Sequence, residues 1–157
     1  MLLVIGAVFL ITYAALKVPP LYRFVIISGF SAVVGVLGFA LQRYRQWEAL
    51  AAWLRSIGGA LFLFGCLGSG AIPGLQWINN PAAALGLLSG GILVNLVLGY
   101  LGGKQVFASL HVVLSLTALS MAPHSITTLL IGAVVTLFGI ALVFREKWDA
   151  HLLVTLT

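Results

Sequence analysis

Few side chains in this sequence can do chemistry, and the most suggestive are an amide and an imidazole on either side of a glycine turn. Asn95 lies about eight residues before Gly102-Gly103 and His111 about eight residues after it. If antiparallel helices flank that turn, the helical rise puts both residues at one depth, roughly 12 Å from it, where they can hydrogen-bond. Lys104, Ala108, His111 and Ser115 recur at spacings of three and four, so they share a helix face that should point into a bundle. The plainest chemistry for such a pair is an interhelical hydrogen bond, worth about 0.6 kcal/mol and fixing the packing. Two sharper readings stand beside it. One is a binding or proton-handling role for His111; the other is haem or pigment ligation by His111 or His151, since such groups need an imidazole in an apolar pocket. Nothing else in the sequence points to a cofactor, and none is expected. His124 falls in a turn, where solvent satisfies it.

The remaining reactive groups argue mostly by exclusion. Arg55 falls about two turns inside an apolar run that begins near Trp47, from where its long side chain can snorkel back to lipid headgroups. Glu48, Glu146 and Asp149 all sit at charged corners. A proton- or sodium-coupled transporter usually holds a carboxylate at mid-membrane, so coupled transport is disfavoured. Gly68-Ser69-Gly70 resembles the serine motif of intramembrane proteases, but Leu67 stands where that motif carries glycine. A glycine-rich helix end is the better account. Cys66 is the single cysteine, which excludes an internal disulfide and a cysteine metal cluster and reads as a small buried hydrophobe. Neither an enzyme site nor a metal site is expected.

The elements that must position these residues follow from composition. Hydrophobic residues make up 62% of the 157, charged residues 7%, and the mean hydropathy is +1.18. Ordinary globular chains are about a quarter charged. Eleven charged side chains cannot clothe a water-soluble domain, so lipid must be the outer solvent. A transmembrane barrel would alternate apolar and polar residues in short segments, whereas the apolar runs here are long and continuous. The expected fold is therefore all-α, a polytopic transmembrane bundle. The net charge of +5 is scattered among helix ends rather than gathered in a stripe, which reads as membrane anchoring and not as nucleic-acid binding.

Taken in order, the spans expected are 2–16, 21–41, 47–67, 82–101, 105–121 and 126–144, about six joined as hairpins within one domain. The first lacks the basic start and cleavage site of a signal peptide, so it reads as a short helix closed by Pro19-Pro20. Pro73, Gly74, Trp77, Asn79, Asn80 and Pro81 mark a surface loop, and Ser125 is a plausible helix cap. Residues 149–157 look like the start of a further helix, a truncated seventh span, and favour a fragment of a longer protein. Arg43, Arg45, Lys104, Arg145 and Lys147 collect at one set of turns, against Lys17 and Arg23 at the other. By the positive-inside rule the richer side, and with it the amino terminus, is cytoplasmic.

Three corners, at Trp47, Phe107 and Trp148, each place an aromatic at the start of a returning helix. Their uneven separations make this a weak repeat, equally explained by the general preference of interfaces for aromatics and cations. The corner Leu41-Gln42-Arg43-Tyr44-Arg45-Gln46-Trp47, the run Ser56-Ile57-Gly58-Gly59-Ala60-Leu61 and the stretch Met121-Ala122-Pro123 together resemble a family. It is the large bacterial "predicted membrane protein" family of unknown function, built from repeated two-helix transmembrane hairpins. The resemblance covers roughly residues 21–123 and rests on spacing and composition. It implies a bacterial inner membrane and a longer parent chain, and transfers no functional residue. Small residues recur where helices should touch, at Gly35 and Gly38, Gly58 and Gly59, Gly86 and Gly90, and Gly132 and Gly139. The function expected is that of a structural or accessory subunit, in contact with membrane lipids and packing against other transmembrane helices or a larger complex. The alternatives are a small-solute carrier or channel with its polar level at Asn95 and His111, and a haem- or pigment-binding subunit.

Overall fold

The computed structural model describes residues 17–101, 105–123 and 125–146, the last five of these as backbone only. Five α-helices account for nearly all of them: α1 Pro20–Leu41, α2 Glu48–Ala71, α3 Pro81–Leu101, α4 Gln105–Ser120 and α5 Ile126–Glu146. A 3-10 turn, Arg45–Trp47, joins α1 to α2. The described chain is all-α and contains no strand. The expected span 2–16 and the helix start at 149–157 lie outside the described residues.

Local chemistry explains where each helix begins. Pro20 opens α1 at a position where a missing N–H costs nothing. Glu48 lies in the first turn of α2, where a carboxylate complements the helix dipole. Asn80 caps α3 through its Oδ1, which accepts from the backbone N–H of Ala82 at 2.9 Å, and Pro81 follows at the first helical position. Ser125 caps α5, accepting from Thr128 N at 3.1 Å, while the Thr128 hydroxyl donates back to Pro123 O at 2.8 Å.

Three segments are long and apolar enough to cross a membrane: Pro20–Leu41, Arg45–Ala71 and Pro81–Leu101, of 22, 27 and 21 residues with mean hydropathies of 2.4, 1.6 and 2.0. Apolar stretches Gln105–Ser120 and Ile126–Ala141 are shorter. A helix of the length of α4 extends about 24 Å, less than the hydrocarbon thickness of about 30 Å. The second of the three long segments runs on from the charged corner without a break, four residues beyond the expected end at 67, so Arg55 is inside a continuous helix.

Burial identifies the centre of the bundle. In the apolar window of α2, 56% of residues are buried, against 33% for α3 and 17% for α1. The central helix packs against α1, α3 and α4, and α5 covers α3 and α4. The apolar core lies between the central helices, at Leu63, Leu67, Ile92, Leu96, Val112 and Val135 among others. Trp53 meets Phe107 edge to face at 5.1 Å, which brings the starts of α2 and α4 to one end of the bundle, the end of the Arg43/Arg45 corner. At the opposite end, Arg23 donates to Gly74 O at 2.7 Å and Trp77 packs on Phe24 at 5.6 Å. The backbone N–H groups of Trp77 and Ile78 both donate to Ser69 O at 3.1 Å. The loop 72–80 is thereby folded over the end of α2, with Gly74 supplying the one left-handed residue it needs (φ 85°).

Close backbone contact occurs at only some of the glycines the sequence offers. A methyl group on Gly38 would fall 2.9 Å from Ala51 O, and one on Gly58 would fall 3.0 Å from Ser31 O. Those two positions let α1 and α2 touch backbone to backbone. Gly86, Gly90 and Gly132 have nothing within 4 Å. The tight contact of α3 is made instead by Gly91, against Cys66 at 2.9 Å.

Candidate functional site

The most polar place inside the bundle is where α2, α3 and α4 meet. Asn95, His111 and Ser115 are wholly buried there, and Ser56 is 4% exposed. The helical repeat explains the assembly. On α3 the buried ridge is Gly91, Asn95 and Gly99; on α4 it is Ala108, His111 and Ser115; on α2 it is Ser56, Gly59 and Leu63. Each ridge advances by three or four residues, so α2 and α3 each present one polar side chain and α4 presents two, among small or apolar neighbours.

The hydrogen bonds form a closed set. His111 Nδ1 faces Asn95 Oδ1 at 2.5 Å, and His111 Nε2 faces Ser56 Oγ at 3.2 Å. Asn95 Nδ2 donates both to His111 O at 3.0 Å and to Ser115 Oγ at 3.0 Å. Ser115 Oγ donates in turn to His111 O at 2.8 Å. A backbone carbonyl can only accept, so the amide atom facing His111 O must be nitrogen, which leaves Asn95 Oδ1 to accept from the ring. The imidazole is then protonated at Nδ1, and its Nε2 accepts from the Ser56 hydroxyl. A neutral ring satisfies every partner.

Glycines allow this crowding. A methyl group on Gly59 would fall 2.8 Å from Leu98 Cδ1, 3.1 Å from Asn95 Oδ1 and 3.3 Å from His111 Cε1. One on Gly99 would fall 3.0 Å from His111 Cβ and 3.2 Å from Cδ2. The imidazole is therefore held between two bare stretches of helix backbone.

Serine, imidazole and amide oxygen follow one another here in the order of a nucleophile, a base and its orienting group. Access is what the arrangement lacks. The neighbouring apolar groove between α1, α2 and α3 is lined by Gly58, Gly59, Phe62 and Leu98, so it stops at the glycine backbone short of the imidazole. Every polar atom of the set is engaged within the chain, which makes its chemistry that of a fastener between three helices.

Of the other residues singled out from the sequence, Arg55 is also buried, 6% exposed, but at the α1–α2 contact. It does not join the Asn95–His111 set. Instead of reaching freely into solvent, its Nη1 donates to Gln42 Oε1 at 2.7 Å, and its guanidinium lies 5.4 Å from the centre of the Phe39 ring. Arg43 and Arg45 are exposed at the corner. Lys104 and Lys147 lie outside the described residues, as do His124 and His151, and for Arg145 only the helical backbone is described. Among the described residues no group of three or more metal-ligating side chains occurs.

Sequence reasoning missed Ser56 and Gly99 as members of the site. Ser56 is 55 residues from His111, on a different hairpin, so no spacing rule connects them. Gly99 carried a usable signal: it stands four residues after Asn95 and so shares the face that meets the imidazole.

Fold and site together define a helical bundle with three membrane-length helical segments and a buried polar junction at its centre. No protein-family model, curated protein or solved structure matches this chain.

Proposed function

We propose that this chain is an integral membrane protein of the bacterial inner membrane, a structural or accessory subunit whose helices pack against lipids, other transmembrane helices or a larger complex. The observation that carries the reading is the closure of the Ser56, Asn95, His111 and Ser115 set, which leaves no polar atom of that set free to take a substrate or pass an ion. A conducting or binding site needs polar groups that a ligand can reach. The outer surface supports the same reading. Gly86, Gly90, Leu93 and Val97 make an exposed stripe along α3, and small residues in such a stripe permit close approach of a further helix.

About six spans, a cytoplasmic amino terminus and cytoplasmic basic corners belong to this proposal, on the strength of the basic residues counted at Arg43, Arg45, Lys104, Arg145 and Lys147 against Lys17 and Arg23. Membership of the hairpin-repeat bacterial family is part of the same reading. The test is cross-linking in native membranes followed by purification. A partner captured by the wild-type chain and lost from Gly86→Leu/Gly90→Leu supports the proposal, whereas a single monomeric mass without a partner refutes it. A robust solute flux that His111→Ala abolishes would replace it with the carrier reading.

A further inference from the structure

Arg55 is the one buried charge among the described residues whose compensation is incomplete. A guanidinium stays protonated in a protein, and a buried charge left unpaired costs several kcal/mol. Its stem lies across Gly38, where a methyl group would fall 2.7 Å from Arg55 Cγ. Its Nη1 is taken by Gln42 Oε1, a neutral acceptor, and its Nε is buried without a partner. Glu48 is the only acidic side chain described; it is exposed, seven residues earlier on the same helix, and makes no ion pair with Arg55.

The surroundings say what kind of anion fits. Gln42 is exposed at the end of α1 and runs directly into Arg43, Tyr44 and Arg45, which line an open hollow at the corner. Tyr44, Trp47 and Trp53 are exposed by 59%, 45% and 49%, and such aromatics sit at headgroup depth. We propose that Arg55, Gln42 and the Arg43/Arg45 corner form a binding site for a phosphate group, that of an anionic phospholipid headgroup or a free phosphate, at the membrane surface. With Nη1 engaged by Gln42, the edge left for a two-point contact is Nε with Nη2, the geometry in which arginine grips phosphate. The Gln42 amide nitrogen, whose Oε1 already holds Nη1, is left to donate to the same group. Arg43 and Arg45 add charge that draws the anion in.

The inference rests on the membrane reading above. The experiment is native mass spectrometry of the detergent-purified chain with phosphatidylglycerol or phosphatidylcholine, paired with melting curves in inorganic phosphate. Wild type should retain phosphatidylglycerol, and Arg55→Met should retain about tenfold less, with phosphatidylcholine unchanged. Arg55→Lys keeps the charge without the two-point edge and should fall between them. A melting shift with inorganic phosphate that Arg55→Met loses, without lipid selectivity, identifies free phosphate as the source. Equal lipid retention and equal phosphate response in wild type and both variants overturn the site. Recovery of wild type from the aqueous phase refutes the membrane reading instead, so the two failures are distinguishable.

Discussion

The two buried polar regions of this bundle solve the same problem in opposite ways. At the α2–α3–α4 junction, Asn95, His111, Ser56 and Ser115 satisfy one another and the assembly is neutral. At the α1–α2 contact, Arg55 carries a full charge into the protein with only an amide, an aromatic ring and its own stem for company. A closed neutral set resists loss of Asn95 or Ser56, because either deletion strands a ring nitrogen of His111. An uncompensated charge is different: an apolar replacement of similar size is often neutral or stabilising. The first arrangement fastens three helices, and the second carries a cost that the proposed anion would relieve.

The largest test of that contrast is Asn95→Leu. It removes both hydrogen bonds to α4 and the acceptor for the His111 ring, and it should destabilise the bundle by about 3 kcal/mol, the upper end of the loss expected when a buried donor, here the ring N–H, is left unpaired. A detergent-to-SDS unfolding titration reads this directly. Loss below about 1 kcal/mol would mean that the junction is not the fastener described and would erase the difference between the regions.

Next in size is Gly99→Ala, whose added methyl group would lie 3.0 Å from His111 Cβ. Overpacking of this kind costs about 1–3 kcal/mol. Gly90→Ala is the matched control on the same helix, since nothing lies within 4 Å of Gly90, and it should be neutral within about 0.5 kcal/mol. Equal effects from the two substitutions, in the same titration, would contradict the helix faces assigned to α3.

Arg55→Met tests the other side of the comparison. In a neutral detergent free of anionic lipid, the variant should be as stable as wild type or more stable by about 1 kcal/mol, since it removes a desolvated charge and keeps most of the stem that packs on Gly38. A melting temperature well below that of wild type would show that Gln42 and Phe39 already compensate the guanidinium.

How much of this is legible in the sequence depends on whether the determining contact is local. The all-α fold, the continuous helix carrying Arg55 and the Ser125 cap follow from hydropathy and helix-end chemistry within a few residues. Asn95 and His111 are legible as a pair because a short turn joins their helices, so counting residues from it also counts depth. The third helix of the junction is not, because nothing local ties Ser56 to a histidine on another hairpin. Glycine pattern misleads for a related reason. Gly86-x-x-x-Gly90 has the motif, yet Gly91 makes the tight contact, since one residue of helix rotation, about 100°, decides which glycine faces the neighbour. Arg55 shows the same limit: its depth can be counted, but its contacts with Phe39 and Gln42 depend on how α1 lies over α2.

The smallest expected loss from breaking a hydrogen bond belongs to Ser31, whose hydroxyl donates to Gly58 O at 2.6 Å across the α1–α2 contact. That carbonyl already lies inside a helix, where the backbone N–H four residues on can satisfy it, so Ser31→Ala strands no partner. The cost should be the modest value of an interhelical hydrogen bond in a membrane protein, about 0.6 kcal/mol. Measured beside Asn95→Leu in one unfolding titration, it sets the scale for a polar contact that packing can do without. If Ser31→Ala cost as much as Asn95→Leu, the α1–α2 contact would be fastened by polar bonds as the junction is. Backbone proximity at Gly38 and Gly58 would then not suffice to explain why α1, buried only along one narrow face, stays in place.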